Sequence, residues 1–309
     1  SEMIRSLVCA VVTVAALCAP VHAEESGDIA AIRARQLFIE GKADEAFAAI
    51  RPLAEQGIPR AEVILGFFYE RGIGTAVDPA LAVEWYQKGA DHGHPAGLHN
   101  LAYSYENGEL GLPKDLAKAH ELYLKAVELE YAPSIHNLAR QYIYGEGTAM
   151  DIDLGRALIE RAVTLGDPET ISDYAYILAT GDGLPVDLPK ARKLYGIAAA
   201  HGIDWAMRDY GEMQELGEGG PVDLAGAEEW YRAAQATGYV MAGFDMAELL
   251  WANAATLPDR QVEALAWCYW AESNGPDVDG TDYTGRCSDP AAARTPDDVT
   301  KAQAMAKTF

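Results

Sequence analysis

Basic residues are scarce in this chain: 24 Lys and Arg stand against 47 Asp and Glu, for a formal net charge of −23. A surface this acidic cannot neutralise phosphates, which excludes nucleic acid as a partner and disfavours anionic lipid. The same balance suits a basic protein partner. Long apolar runs are also missing. Past the N-terminus no stretch approaches the roughly 20 residues that cross a bilayer, so no membrane span is expected. Catalytic signatures are absent as well: there is no H-E-x-x-H, C-x-x-C, G-x-S-x-G, S-x-x-K or Walker loop. No cofactor and no catalytic residue is expected.

Cysteine is rare, and its placement matters. Of four cysteines, Cys9 and Cys18 fall in an N-terminal segment that reads as an export signal. Met3 is the expected native start, with Ser1 and Glu2 as foreign residues ahead of it. Arg5 supplies the positive charge, Leu7 to Ala19 the apolar core, and Val21-His22-Ala23 the small residues at a cleavage site. The apolar stretch is too short to span a bilayer, and Leu17 is too large for a lipidation box before Cys18. Residues 3–23 are therefore expected to leave, with mature protein beginning at Glu24 and residing in the periplasm. Cys268 and Cys287 then remain alone in an oxidising compartment, where a disulfide is expected.

What the chain does have is repetition. Residues 72–93, GIGTAVDPALAVEWYQKGADHG, return in outline at 217–238 as GEGGPVDLAGAEEWYRAAQATG. A turn position recurs at Gly57, Gly93, Glu130, Gly166, Gly202, Gly238 and Gly275, 36 or 37 residues apart. A leucine-like position recurs at Leu65, Leu101, Leu138, Tyr174, Tyr210 and Met246. Seven residues after each stands Gly72, Gly108, Gly145, Gly181, Gly217 and finally Asn253. Asn is the next best residue for a left-handed C-cap, so the sixth copy is expected to keep that conformation.

Each unit reads as two helices. Helix A has apolar residues at helical spacing (Ala61, Leu65, Phe68, Tyr69) and stops at the left-handed glycine. Asp78 then caps helix B, with Pro79 at its first position. Helix B lays Ala82, Tyr86, Gly89 and Ala90 along one stripe. One such hairpin cannot bury both faces, and stacking hairpins can.

Leu65-Gly66, Tyr69, Gly72-x-Gly74, Asp78, Ala82, Trp85-Tyr86, Lys88 and Gly93 together resemble the Sel1-like repeat family, relatives of the tetratricopeptide repeats. The resemblance implies an all-α fold: a right-handed α/α superhelix, or solenoid, of stacked antiparallel helix pairs. Residues 24–57 form a shortened N-terminal hairpin, 58–275 six repeats, five good and one degenerate, and 276–309 a loop and a C-terminal capping helix beginning at Thr295. The family also implies a role as scaffold, periplasmic regulator or host-contact factor. Some of its members are associated with peptidoglycan or β-lactam, which gives the alternative of a cell-wall binding or hydrolysing protein. The members linked to that activity carry a cysteine pair in each repeat, and this chain has one pair in all.

The fold analogy places a partner on the helix-A face. Two residues before the leucine-like position stand Val63, His99, His136, Ser172, Arg208 and Phe244. One before it stand Ile64, Asn100, Asn137, Asp173, Asp209 and Asp245. Two after it stand Phe67, Tyr103, Arg140, Tyr176, Glu212 and Glu248. A buried position would not tolerate three aspartates in succession, so these ladders are expected to face solvent or ligand. His99, Asn100, Tyr103, His136, Asn137, Arg140, Asp173, Tyr176, Arg208 and Asp209 are the candidate partner groove, because amides and Arg hold peptide backbone and carboxylate. The neighbouring His92, His94 and His99 read as solvated or capping residues rather than metal ligands. Glu109, Glu146, Asp182 and Glu218 read as a solvated acidic rim. DVDGTD at 277–282 has its glycine misplaced for an EF-hand.

Overall fold

In a computed structural model, the structure describes residues 27–275 and 285–309. Residues 3–23, expected to be an export signal, and the acidic stretch 277–282 lie outside the described residues. Every regular element among the described residues is helical. Helix α1 (27–39) and α2 (Ala43–Glu55) form the first pair. Five pairs follow: α3 (Pro59–Arg71) with α4 (Pro79–Asp91), α5 (Pro95–Asn107) with α6 (Leu116–Glu128), α7 (Ala132–Tyr144) with α8 (Ile152–Thr164), α9 (Pro168–Thr180) with α10 (Leu188–Ala200), and α11 (Asp204–Leu216) with α12 (Leu224–Ala236). Then come α13 (Met241–Ala252), α14 (Gln261–Asn274), the short α15 (Ser288–Ala292) and α16 (Pro296–Ala306). The chain divides into two compact units, Ser1–Arg161 and Ala162–Phe309, with the divide inside α8.

The loop between the two helices of a repeat is built the same way five times. Helix A ends at Gly72, Gly108, Gly145, Gly181 or Gly217, each at a φ between 68° and 78°. The following Asp returns its N–H to a helix-A carbonyl, as from Asp78 to Tyr69 at 2.9 Å. Its carboxylate accepts the N–H three residues on: Asp78 from Leu81, Asp115 from Lys118, Asp151 from Leu154, Asp187 from Lys190 and Asp223 from Gly226, all at 2.9–3.1 Å. Each such cap contributes about 1 kcal/mol. Gly74 sits at φ 63°, and a Cβ there would lie 2.5 Å from the Ala43 carbonyl oxygen of α2. The second glycine of the loop thus lets one repeat touch the backbone of the previous one.

The sixth repeat, α13 with α14, departs from this plan. Asn253 has φ −101° and ψ 23°, so it does not keep the left-handed cap expected of it. Its amide instead donates to the Leu249 carbonyl at 2.8 Å, and α14 begins after a short 3₁₀ turn with no side-chain cap. Glu130 shows the opposite behaviour: it holds φ 55° where the neighbouring repeats carry Gly.

In the first unit Leu65, Phe68 and Tyr86 are buried in adjacent stripes. Removing an apolar side chain of this size from water yields about 1.5–3 kcal/mol. In the second unit the core gathers on α14, where Trp267 stacks on Phe309 with ring centroids 3.9 Å apart. Cys268 of α14 is bonded to Cys287, both buried. Thr295 caps α16 by accepting the Asp298 N–H at 3.2 Å, and α16 packs on α14. Beside them Arg260 and Arg232 bond Glu228 and Glu263 at 2.7–3.0 Å. Burial opposes the charge of Glu263, but its bonds to Arg260, Arg232 and Trp267 hold its pKa down to about 2.

Candidate interaction surface

The helix-A face is built from the helix-B tyrosines outward. Tyr86, Tyr123 and Tyr231 are buried up to their hydroxyls. Each hydroxyl donates to a glutamate near the end of its partner helix A: Tyr86 to Glu70 at 2.6 Å, Tyr123 to Glu106 at 2.8 Å and Tyr231 to Glu215 at 2.8 Å. Burial, reinforced by the carboxylate, pushes all three phenol pKa values up. These hydroxyls therefore stay protonated donors at every ordinary pH. The α7–α8 pair has Ile143 and Ile159 at the two matching positions, both buried. The polar pair is replaced there as a unit.

The same tyrosines reach into the next repeat. The Asn137 amide donates to the Tyr123 hydroxyl at 2.7 Å, and Asn100 hydrogen-bonds Tyr86. Asp209 does the same for Tyr195, whose own repeat has Ala179 where the glutamate would be. Burial raises the Asp209 pKa despite its bonds to Arg208 and Tyr195. The ladder one residue before the leucine-like position is thus half-turned inward, and Asn137 is only 9% exposed.

The ladder two residues before it is more enclosed still. His99 packs its ring against Tyr123 and Tyr131, with centroids 5.7 and 5.4 Å away, and its Nδ1 lies 3.0 Å from the Ser134 hydroxyl on α7. Burial pushes its pKa down to about 4, so it is neutral at pH 7. His136 and Ser172 are buried. In the second unit Arg208 is half-buried and bonds Asp245 at 2.8 Å, Asp209 at 3.0 Å and Glu212 at 3.0 Å. Burial opposes its charge, but the Asp245 carboxylate outweighs that and raises its pKa.

Only the ladder two residues after the leucine-like position opens outward. Tyr103 and Tyr176 are 46% and 48% exposed, and Arg140 is exposed on α7 with no carboxylate within 4 Å among the described residues. The expectation that all three ladders are open is corrected here: His136 and Asn137 are interior, His99, Asn100, Asp173, Arg208 and Asp209 are half-buried, and Tyr103, Arg140 and Tyr176 are available. Sequence reasoning missed the cause. A Tyr on helix B followed 14 residues later by Asn or Asp, as in Tyr86/Asn100, Tyr123/Asn137 and Tyr195/Asp209, is a signal that could have found it.

Behind the open face in the first unit lies a polar network. Glu106 accepts from both Tyr123 and the Gln141 amide, and the Gln141 Oε1 accepts from His120 Nδ1 at 2.9 Å. Its members satisfy one another, which fixes α5, α6 and α7 in one arrangement. Among the described residues no three His, Cys, Asp or Glu side chains cluster in a way that could hold a metal ion, and no helix is long and apolar enough to cross a membrane.

Repeated antiparallel helix pairs with a common loop define an α-solenoid. The Sel1 repeat family matches residues 59–94, 95–131, 132–167, 168–203 and 206–234, and the chain belongs to that family. Sel1-repeat solenoids are scaffolds that generally mediate protein interaction. The matched residues end before α13, where the loop chemistry changes. A Sel1 repeat protein from Oxalobacter formigenes is 25% identical, with a TM-score of 0.67 over 79% of this chain and all of its own. A protective antigen of uropathogenic Escherichia coli with the same repeat fold is 21% identical, with a TM-score of 0.41 over 88% of this chain and 74% of its own. A chitin synthase regulator of Malassezia restricta is 45% identical over 49 residues, which are 16% of this chain and 3% of that protein.

Proposed function

We propose that this chain is an exported, periplasmic, non-catalytic scaffold that binds a protein segment on the helix-A face of its first unit. The observation that carries the reading is that Tyr103 and Arg140, at equivalent positions of successive repeats, are both exposed, while Glu106, Tyr123 and Gln141 are taken up in a network of their own. An exposed Tyr offers a large amphipathic surface at low entropic cost. An Arg without a carboxylate partner offers a two-pronged donor for a carboxylate or a peptide carbonyl. A basic partner finds its complement in the second unit, where Asp209, Glu212, Asp245 and Glu248 outnumber Arg208 and Arg286.

A random-peptide display library selected on the immobilised chain tests the first surface. Peptides captured by the wild type should be enriched in acidic residues, and Tyr103→Ala/Arg140→Ala should retain at most a tenth of them. Retention of the same peptides by the double variant, with unchanged helicity, would count against this face. N-terminal sequencing of the protein from an envelope fraction tests export; a chain still beginning at Met3 would refute it.

A further inference from the structure

Arg286 lies on the helix-A face of the last repeat without belonging to that helix. Phe244 and Glu248 stand four residues apart on α13 and so share one side of it. Arg286 comes from the segment leading into α15, yet its guanidinium sits 4.6 Å from the centre of the Phe244 ring and 3.5 Å from the Glu248 carboxylate. The next residue, Cys287, is bonded to Cys268 on α14, and its N–H donates to Glu272 at 3.4 Å. The backbone is therefore anchored beside Arg286. Its side chain is 45% exposed and long enough to swing away without moving that anchor.

The seat is more acidic than Arg286 can offset. Helices α11 and α13 bring Asp204, Asp209, Glu212, Glu215, Asp245 and Glu248 against Arg208 alone. Arg208 is already shared by Asp245, Asp209 and Glu212. Burial, followed by repulsion from Asp245, raises the Glu212 and Glu215 pKa values against the pull of Arg208. A further cation on this face relieves that repulsion. Guanidinium suits the seat better than ammonium, because its flat face stacks on a ring while its edge donates to a carboxylate.

We propose that Phe244 and Glu248 form a seat for an arginine side chain of a partner segment, and that Arg286 is a tethered competitor occupying this seat in the free protein. A tethered group acts at a high effective concentration, so a partner must bring more than one cation to displace it. The inference rests on the reading that a basic partner meets the second unit, and it adds the seat and its internal occupant.

Fluorescence anisotropy on the full chain provides the test, with dye-labelled peptides of alternating Arg and Ser, or of Glu and Ser, as probes. The wild type should bind the Arg peptide and not the Glu peptide. Arg286→Ala should tighten the Arg peptide about tenfold, the combined worth of an exposed ion pair and a cation–π contact. Lys301→Ala on α16 makes the same change of net charge outside this face, and should stay within about twofold of wild type because distant exposed charges are screened. Glu248→Gln added to Arg286→Ala should give back most of the gain. The three side chains are exposed, so helicity should match the wild type. An Arg286→Ala chain that binds no tighter than Lys301→Ala would overturn the competitor, and a gain that survives Glu248→Gln would overturn the seat. If the Arg peptide binds neither the wild type nor Arg286→Ala, the basic-partner reading of the second unit falls as well.

Discussion

At Glu130 an L-residue occupies a left-handed turn, at φ 55°, that the neighbouring repeats assign to glycine. Its carboxylate bonds Arg161 at 2.8 Å, an exposed pair worth at most about 1 kcal/mol. Two glycines show how differently such turns are constrained. Gly93, at φ 85°, has nothing within 4 Å of a prospective Cβ, whereas at Gly74 the Ala43 carbonyl and the Phe47 side chain stand in the way. Gly93→Ala is expected to cost about 1–2 kcal/mol for the backbone alone. Gly74→Ala should cost roughly 1–3 kcal/mol more, because the preceding repeat must move. Urea midpoints measure both, and equal losses would show that the close approach carries no weight.

At the scale of elements, α5, α6 and α7 are joined by polar groups as much as by apolar ones. His99 of α5 sits between Tyr123 of α6 and Tyr131 and Ser134 at the start of α7, with Glu106 and Arg140 acting on Tyr123. Its folded pKa of about 4 lies below the usual 6.5. Stability from the neutral ring is therefore complete above pH 6.5 and is lost as pH falls towards 4. At pH 4.5 the loss should be on the order of 2 kcal/mol. Glu263, held at about 2, contributes stability that is present above pH 4.5 and fades only below it. His99→Asn should flatten the urea-midpoint profile between pH 6.5 and 4.5. An unchanged slope in the variant would assign the acid loss to another group.

For the molecule as a whole, the second unit is closed by a disulfide and by the stacked Trp267–Phe309 pair. Cys268–Cys287 spans 19 residues of sequence and fastens the segment leading to α15 and α16 onto α14. By the chain-entropy model a loop of this size is worth about 3 kcal/mol. Cys287→Ala should speed amide exchange in α16 and around Trp267, whose ring Phe309 covers, while leaving α3 and α5 as slow as before. Equal acceleration in α3 would mean that the bond stabilises more than its own unit.

Most of the architecture was legible in the primary structure, because it rests on local chemistry. A left-handed glycine, an aspartate cap and a stripe of small residues each act within one helix pair, and each recurs every 36 or 37 residues. The disulfide was legible because only Cys268 and Cys287 lie beyond the first 23 residues. The open face was not. Whether Asn137 meets solvent or the Tyr123 hydroxyl depends on how far a ring on one repeat reaches into the next, so the 14-residue Tyr-to-Asn spacing acquires its meaning only from the packing. Asn253 likewise looked like a cap until the packing of α13 and α14 set its φ at −101°. Local rules settle which helices form and where they stop. Long side chains meeting across repeats settle which polar groups remain for a partner, because burial and hydrogen bonding are decided by neighbours far apart in the chain.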